Sequence, residues 1–597
     1  PTAGAPFNLE VYATDSRYNW INTVAQNPIR LTTDDTVAVP FAANFAINIG
    51  SATVPNVILY GAGVRISSAT DLDVSAPALA QSAQRQVPVN PGSPDRLRIL
   101  LPTEARAPGP SGGTGRSGAA YATQAGPTFQ FTVTVDITDS FWNLIQGASH
   151  EIRLTSDDPY AVIVPSDTLG AHRVIYTSTT FDVYMQRATN SKLFAEMLNP
   201  LGPPFIYAVN KDTSTVFTVN PGLPTKLLVK VPGEDFDQGS TVGKLGTPAD
   251  QTAGVNMTGA GGGVVPFVVV GVVDDYFNLV KNCPLNPKCV TEVQIQTPGD
   301  NFSVVTTTLA INTANGYTAP FTVALKKAAT DQFLRAVDYG WSGLTQNNSS
   351  TFTVKAAAPV GLQVVMPGQT SLPGTGDYPA GGVTGAISTQ TAGAAFTMTV
   401  NLVDRFMNVY DGVGSSSDVY VHTSDAYDLN PSTINLTNGS RTFGMTLVTK
   451  STAVLVSAHA TGAWSGTDCT GNFPLVGNNT CRTESPAGKS PPFKVYAGAA
   501  TRLQVLLPGE TGVPGKCVGA PCGSISGPPG KTGLPTPQTI TAPGVTPFSA
   551  TVNLVDDFWN VATERTGASQ DTNPLVAAMP SVRVKQPKDP LAPVGGS

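Results

Sequence analysis

The chain has 597 residues, of which 13% are charged against about 25% in ordinary soluble domains, and its formal net charge is −6. That balance offers no basic footprint for nucleic acid, and no apolar run approaches the roughly 18 residues that a membrane-spanning helix needs. A chain of this length predicts about three to six domains.

The first element is "VYATDSRYNWI" at 11–21, a strand-like run that stops in a polar turn. It recurs as "VDITDSFWNLI" at 135–145, "VGVVDDYFNLV" at 270–280, "VNLVDRFMNV" at 400–409 and "VNLVDDFWNV" at 552–561. Asp15, Asp139, Asp274, Asp404 and Asp556 open the five turns; Asn19, Asn143, Asn278, Asn408 and Asn560 close them. The period is far longer than the roughly 20–50 residues of a solenoid unit. It suits a string of domains, each with its own core.

Around each motif the pattern is that of strands. "TFQFTVTVDITD" places Phe129, Phe131, Val133, Val135 and Ile137 on one face by period two, and "FTMTVNLVD" does the same with Phe396, Met398, Val400 and Leu402. After the turn come "IRLTTDD" at 29–35, "EIRLTSDD" at 151–158, "EVQIQTPGD" at 292–300 and "DVYVHTSD" at 418–425. Strand and turn signals about every 8–12 residues predict an all-β chain of antiparallel sandwiches. "NSKLFAEML" at 190–198 is the one helical candidate.

A second signature precedes four of the motifs: "RLRILLPTE", "KLLVKVPGE", "GLQVVMPGQ" and "RLQVLLPGE". Each is read as the first strand of a new domain, stopped by Pro102, Pro232, Pro367 or Pro508, because proline cannot donate to a sheet ladder. A long Gly/Pro/Thr segment follows every time, and loops beyond about 12–15 residues are functional or disordered.

The stretches "TAGAPFNLEVYATD" at 2–15, "TAGAAFTMTVNLVD" at 391–404 and "PFSATVNLVDDFWNV" at 547–561 resemble the opening of bacterial immunoglobulin-like tandem repeats. The resemblance covers nearly the whole chain. It implies extracellular surface proteins, adhesins and stalks. This sequence departs from the family at the turn, where a glycine before the Asn is replaced by Tyr18, Trp142, Phe277, Met407 or Trp559. The expected boundaries are 1–90 for a module lacking its leading strand, 91–222, 223–356 and 357–498 for complete modules, and 499–597 for an incomplete one.

Two readings of the turn compete. In the first, Asp accepts hydrogen bonds from turn amides, Asn adopts the left-handed conformation, and the aromatic residue caps the core. In the second, the Asp and Asn oxygens of all five turns bind calcium, which wants six to eight oxygens, so two per turn fall short. Asp34, Asp35, Asp157 and Asp158 would have to contribute. The turn lock is the preferred reading.

Six cysteines fall in three close pairs within Pro/Gly/Asn-rich loops: Cys283 and Cys289, Cys469 and Cys481, Cys517 and Cys522. Local pairing predicts three short disulfides and an oxidising compartment; a zinc site would need four ligands together. His422 and His459 share one repeat with Asp425, yet have no counterpart in the others, so catalysis has little support. "GAGGGVV" lacks the Lys-Ser/Thr of a phosphate loop. Sequons stand at Asn256, Asn301, Asn347, Asn348, Asn435, Asn438 and Asn478, a number that a Thr/Asn-rich chain produces by chance.

Together these features predict a non-enzymatic, extracellular structural subunit of a filament, tube, sheath or surface layer, without cofactor, self-associating into a homopolymer. An adhesin or adhesin stalk binding a glycan or host protein is the alternative. The chain starts at Pro1, is expected to be a mature product or fragment, and has half-complete terminal repeats that strand exchange between subunits would fill.

Overall fold

In the computed structural model the described residues are 1–40, 44–73, 78–109, 112–147, 150–165, 171–175, 177–197, 211–257, 267–282, 286–379, 381–412, 414–416, 418–428, 433–460, 488–517, 527–537 and 548–562. Regular structure among them is all strand, apart from the 3-10 turns Pro127–Phe129 and Pro287–Cys289. Most pairings are antiparallel.

The "LLPGE"-type strand pairs antiparallel with the motif strand in every copy: Arg96–Leu100 with Phe131–Thr138, Lys226–Lys230 with Val269–Val273, Pro359–Val365 with Ala395–Asp404, and Arg502–Leu506 with Thr551–Val555. In the second repeat this sheet extends through Ser178–Tyr184 to Val162–Val164, and a second four-stranded sheet runs Ala171–Ile175, His150–Ser156, Leu193–Met197, Lys211–Thr213. Leu97, Ile99, Val133, Val135 and Phe181 from the first sheet meet Ile152, Leu154, Leu193 and Ala195 from the second in one apolar cluster. Corresponding clusters form around Leu227, Val270, Val293 and Ala336, and around Val364, Val400, Val421 and Ala458.

A recurring pairing runs the other way. The stretch before each motif strand lies parallel to the strand that ends the same repeat: Ala122–Gln124 beside Phe217–Asn220, Gln251–Thr252 beside Phe352–Lys355, Gln390–Thr391 beside Phe493–Tyr496. A parallel bridge from Thr2 to Asn90 stands at the same place in the first repeat.

Three expectations need correction. Residues 190–197 are not helical: Asn190–Ser191 and Leu193–Met197 are strands. Leu193 and Ala195 alternate into the core while Phe194 points out, so period-two packing overrides helix propensity. Phe129 does not join the buried face; it sits in the 3-10 turn and is 42% exposed. Strict alternation also fails at the strand ends, where Asp136, Thr138, Asn401 and Val403 are buried as well.

The long Gly/Pro segments cause that last departure. Each begins as a hairpin, Glu104–Arg106 with Arg116–Gly118, Glu234–Phe236 with Lys244–Gly246, Thr370–Ser371 with Val383–Thr384, and Thr511–Gly512 with Lys531–Thr532. It folds over the outer face of the motif strand; in the third repeat Leu228 and Val273 meet Phe236 beneath it in an apolar cluster, and in the second, fourth and fifth polar side chains anchor it. Arg98 donates to the Gly115 and Trp142 carbonyls, while Gln363 and Gln504 donate to those of Gly382 and Gly530. Burial raises the Asp136 carboxyl, but hydrogen bonds from Arg106 and Arg98 outweigh it and hold the group below its ordinary value.

Candidate functional site at the joints between repeats

The polar turn has one geometry in the second to fifth repeats. Asp139 Oδ1 accepts the Phe141 and Asn143 amides at 2.9 Å each, and Oδ2 accepts Gly92 N at 2.8 Å and Asn143 Nδ2 at 3.0 Å. Asp274 takes Tyr276 N, Asn278 N, Gly222 N and Asn278 Nδ2 in the same way. Asp404 and Asp556 repeat the set, with Ala357 N and Gly498 N in the third place. The third donor belongs to the linker entering the repeat. A single carboxylate therefore closes the turn and ties the incoming chain to it.

Amide donors face both oxygens of these carboxylates. A cation there would have to displace the N–H groups that define the turn, so the donor set does not fit a calcium cage. Among the described residues no three His, Cys, Asp or Glu side chains gather as a metal cluster.

The left-handed residue is not the Asn, contrary to expectation, but the residue before it: Tyr18, Trp142, Phe277, Met407 and Trp559 have φ of 64, 65, 61, 64 and 66°. Glycine would be the cheaper choice there. A side chain is retained because it packs on the hairpin: a Cβ added to Gly115, Gly243, Gly382 or Gly530 would lie 2.3–2.5 Å from Trp142, Phe277, Met407 or Trp559.

The Asn does something the sequence did not disclose. Its amide leaves its own repeat and grips the preceding one. Asn143 Nδ2 donates to Tyr60 O at 2.7 Å, and Ala62 N donates to Asn143 Oδ1 at 2.7 Å. Asn278 binds Gln186 O and Ala188 N, Asn408 binds Lys326 O and Ala328 N, and Asn560 binds Val448 O and Lys450 N, all at 2.7–2.8 Å.

The gripped loop is itself held by an aspartate. Asp35 Oδ2 accepts Tyr60 N and Gly61 N; Asp158 accepts Gln186 N and Arg187 N; Asp300 accepts Lys326 N and Lys327 N; Asp425 accepts Val448 N and Thr449 N. Asp35 and Asp158, considered above as calcium ligands, thus serve the loop instead. Asp300 and Asp425 end the matching stretches "EVQIQTPGD" and "DVYVHTSD".

An aromatic ring completes each joint. Phe141, Tyr276, Phe406 and Phe558 lie against Gly4, Gly126, Gly254 and Gly393 of the preceding repeat, where an added Cβ would come within 2.1, 2.6, 2.1 and 2.0 Å of the ring. Those glycines donate their amides to Leu59, Met185, Leu325 and Leu447 carbonyls, next to the gripped loop. Phe406 and Phe558 accordingly belong to the apolar clusters of the third and fourth repeats.

In the first repeat the turn is exposed. Asp15 accepts Arg17 N, Asn19 N and Asn19 Nδ2, and the Asn19 side chain, then the Asn19 and Arg17 amides, hold its carboxyl below its ordinary value. Tyr18 is 78% exposed.

Cys289 and Cys517 are disulfide-bonded. Cys283, Cys469, Cys481 and Cys522 lie outside the described residues, and with them all three proposed pairings. The expected half-sandwich after residue 562 also lies outside them. His422 and His459 do come together, with Nε2 atoms 2.8 Å apart. Asp425 does not orient either ring; its oxygens take the Tyr427, Val448 and Thr449 amides and the Thr449 hydroxyl.

No family model matches the chain, and no curated protein sequence does. Solved structures share only distant likeness. A beta-glycosidase from Bacteroides vulgatus aligns at 10% identity and a TM-score of 0.17, over 36% of this chain and 25% of its own. Domains 1–6 of surface layer protein SbsC align at 12% and 0.15, over 87% and 56%. The mixed-linkage glucan utilization locus protein SGBP-B of Bacteroides ovatus, in complex with a heptasaccharide, aligns at 9% and 0.11, over 75% and 91%. The chain thus spans a quarter of the first protein and 56% of the second. TM-scores of this size carry no conclusion about function.

Proposed function

We propose that this chain is a non-enzymatic, extracellular structural protein, a string of immunoglobulin-like sandwiches that serves as the subunit of a polymeric surface assembly. One observation carries the reading: the same four-part joint occurs at all four repeat boundaries. A flexible string needs only linkers. Here each boundary spends an aspartate, an asparagine, an aromatic ring and a glycine on fixing one repeat against the next. Such investment suits a part that bears load or sets a spacing. The close spacing of the six cysteines in three pairs along the sequence supports an extracellular location.

Negative-stain microscopy of the purified chain tests the reading. Regular filaments, tubes or sheets are the expected result. Monodisperse rods that bind a glycan array would instead favour the adhesin reading, and hydrolysis of any presented glycan would refute both.

A further inference from the structure

The imidazoles of His422 and His459 lie outside the joints. His422 is on strand Asp418–Thr423 and His459 on Val456–Ala460. The strands pair antiparallel, with Tyr420 opposite His459 and His422 opposite Ser457. Val419, Val421 and Ala458 fill the buried face, so the two rings are diagonal neighbours on the other one. Their planes are 79° apart with centroids at 4.8 Å, and Tyr420 packs edge-on against His422 at 5.5 Å. Ser457 Oγ lies 3.4 Å from His459 Nε2. Lys489 sits opposite Ser457 on the adjoining strand.

Two ring nitrogens 2.8 Å apart either share a proton in a hydrogen bond or converge on one metal ion. A metal–imidazole bond is about 2.0–2.1 Å, so two such bonds at a right angle put the nitrogens about 2.9 Å apart, and tetrahedral ones about 3.4 Å. The observed 2.8 Å matches the right angle. Square-planar or tetragonal nitrogen–oxygen sites select Cu(II) or Ni(II) over tetrahedral zinc. We propose that His422 and His459 form a cross-strand chelate for a divalent transition-metal ion of the Cu(II)/Ni(II) type, with water filling the remaining positions.

The metal-free full chain should be titrated with copper(II) sulfate and with nickel(II) chloride. About one equivalent should bind with micromolar affinity, and the Cu(II) electron paramagnetic resonance spectrum should show coupling to two nitrogens. His422→Gln and His459→Gln should each weaken binding by about tenfold or more. The double variant His150→Gln/His172→Gln should bind as the parent does. Binding no tighter than about 1 mM, or affinity unchanged in both single variants, would overturn the proposal. So would a spectrum with one nitrogen or none, which needs no variant to fold.

Discussion

The asparagine that ends each turn works on two repeats at once. Removing the Asn278 side chain deletes its bonds to Gln186 O and Ala188 N and one donor to Asp274. Asn278→Ala should cost about 2–4 kcal/mol by leaving buried partners unsatisfied. Urea denaturation followed separately in the second and third repeats should show both transitions moving; a shift confined to the third would refute the joint. His459 makes a different prediction. Burial, then His422 and Lys489, lower its pKa from 6.5 to about 4. As pH falls below 6.5 the unfolded chain takes up a proton that the folded ring refuses. Stability of the fourth repeat therefore declines between pH 6.5 and about 4 and levels off below. The ring is partly solvated, so the loss is on the order of 1 kcal/mol. Denaturation midpoints of the parent should fall relative to those of His459→Gln across this window; parallel curves would refute it.

At the scale of elements, the aromatic ring and its glycine are one device. Gly393→Ala would place a Cβ 2.0 Å from Phe558 at a φ of +81°, costing about 2–4 kcal/mol in strain and overpacking. Combining it with Phe558→Ala should recover at least about 1 kcal/mol of that cost; strict additivity would show that ring and glycine do not meet. The disulfide of Cys517 belongs to the same joint, since Cys517 clusters with Val448, Tyr427, Phe558 and Trp559. Cys517→Ser should lower stability by about 2–3 kcal/mol and expose the fifth repeat to protease before the fourth; simultaneous cleavage would speak against it. The strands and turns were legible in the sequence because period two and a recurring Asp and Asn are local signals. The joint was not. The amide of Asn143 meets residues some eighty positions upstream, Tyr60 and Ala62, through their main-chain atoms, which carry no residue signature. The sole trace was the glycine of "TAGAPF" and "TAGAAF", quoted for strand position rather than for the ring it admits. The helix expected at 190–198 failed because Leu193 and Ala195 satisfy a core at period two that propensity does not see.

For the molecule as a whole, four like joints predict a stiff rod. Small-angle scattering of the full chain should give a rod-like pair-distance distribution with little dependence on temperature below unfolding. Replacing Asn143, Asn278, Asn408 and Asn560 together by Ala should shorten the mean end-to-end distance through bending while strand content stays. An unchanged distribution would mean that the linkers alone set the shape. The second, third and fourth repeats each have their own apolar cluster, and a ring from the next repeat enters two of them: Phe406 lies in that of the third and Phe558 packs against that of the fourth.

The distribution of the parts along the chain matters for how such a protein changes length. The second, third and fourth repeats each carry a socket, the aspartate-held loop with its glycine, and a plug, the turn with its aromatic ring. The ring differs between copies, Phe or Tyr, while the socket glycine does not. A duplicated repeat would bring its own plug for the socket upstream and its own socket for the plug downstream. Lengthening by whole repeats thus needs no new interface to arise, whereas a cut that parts a plug from its repeat strands two neighbours at once.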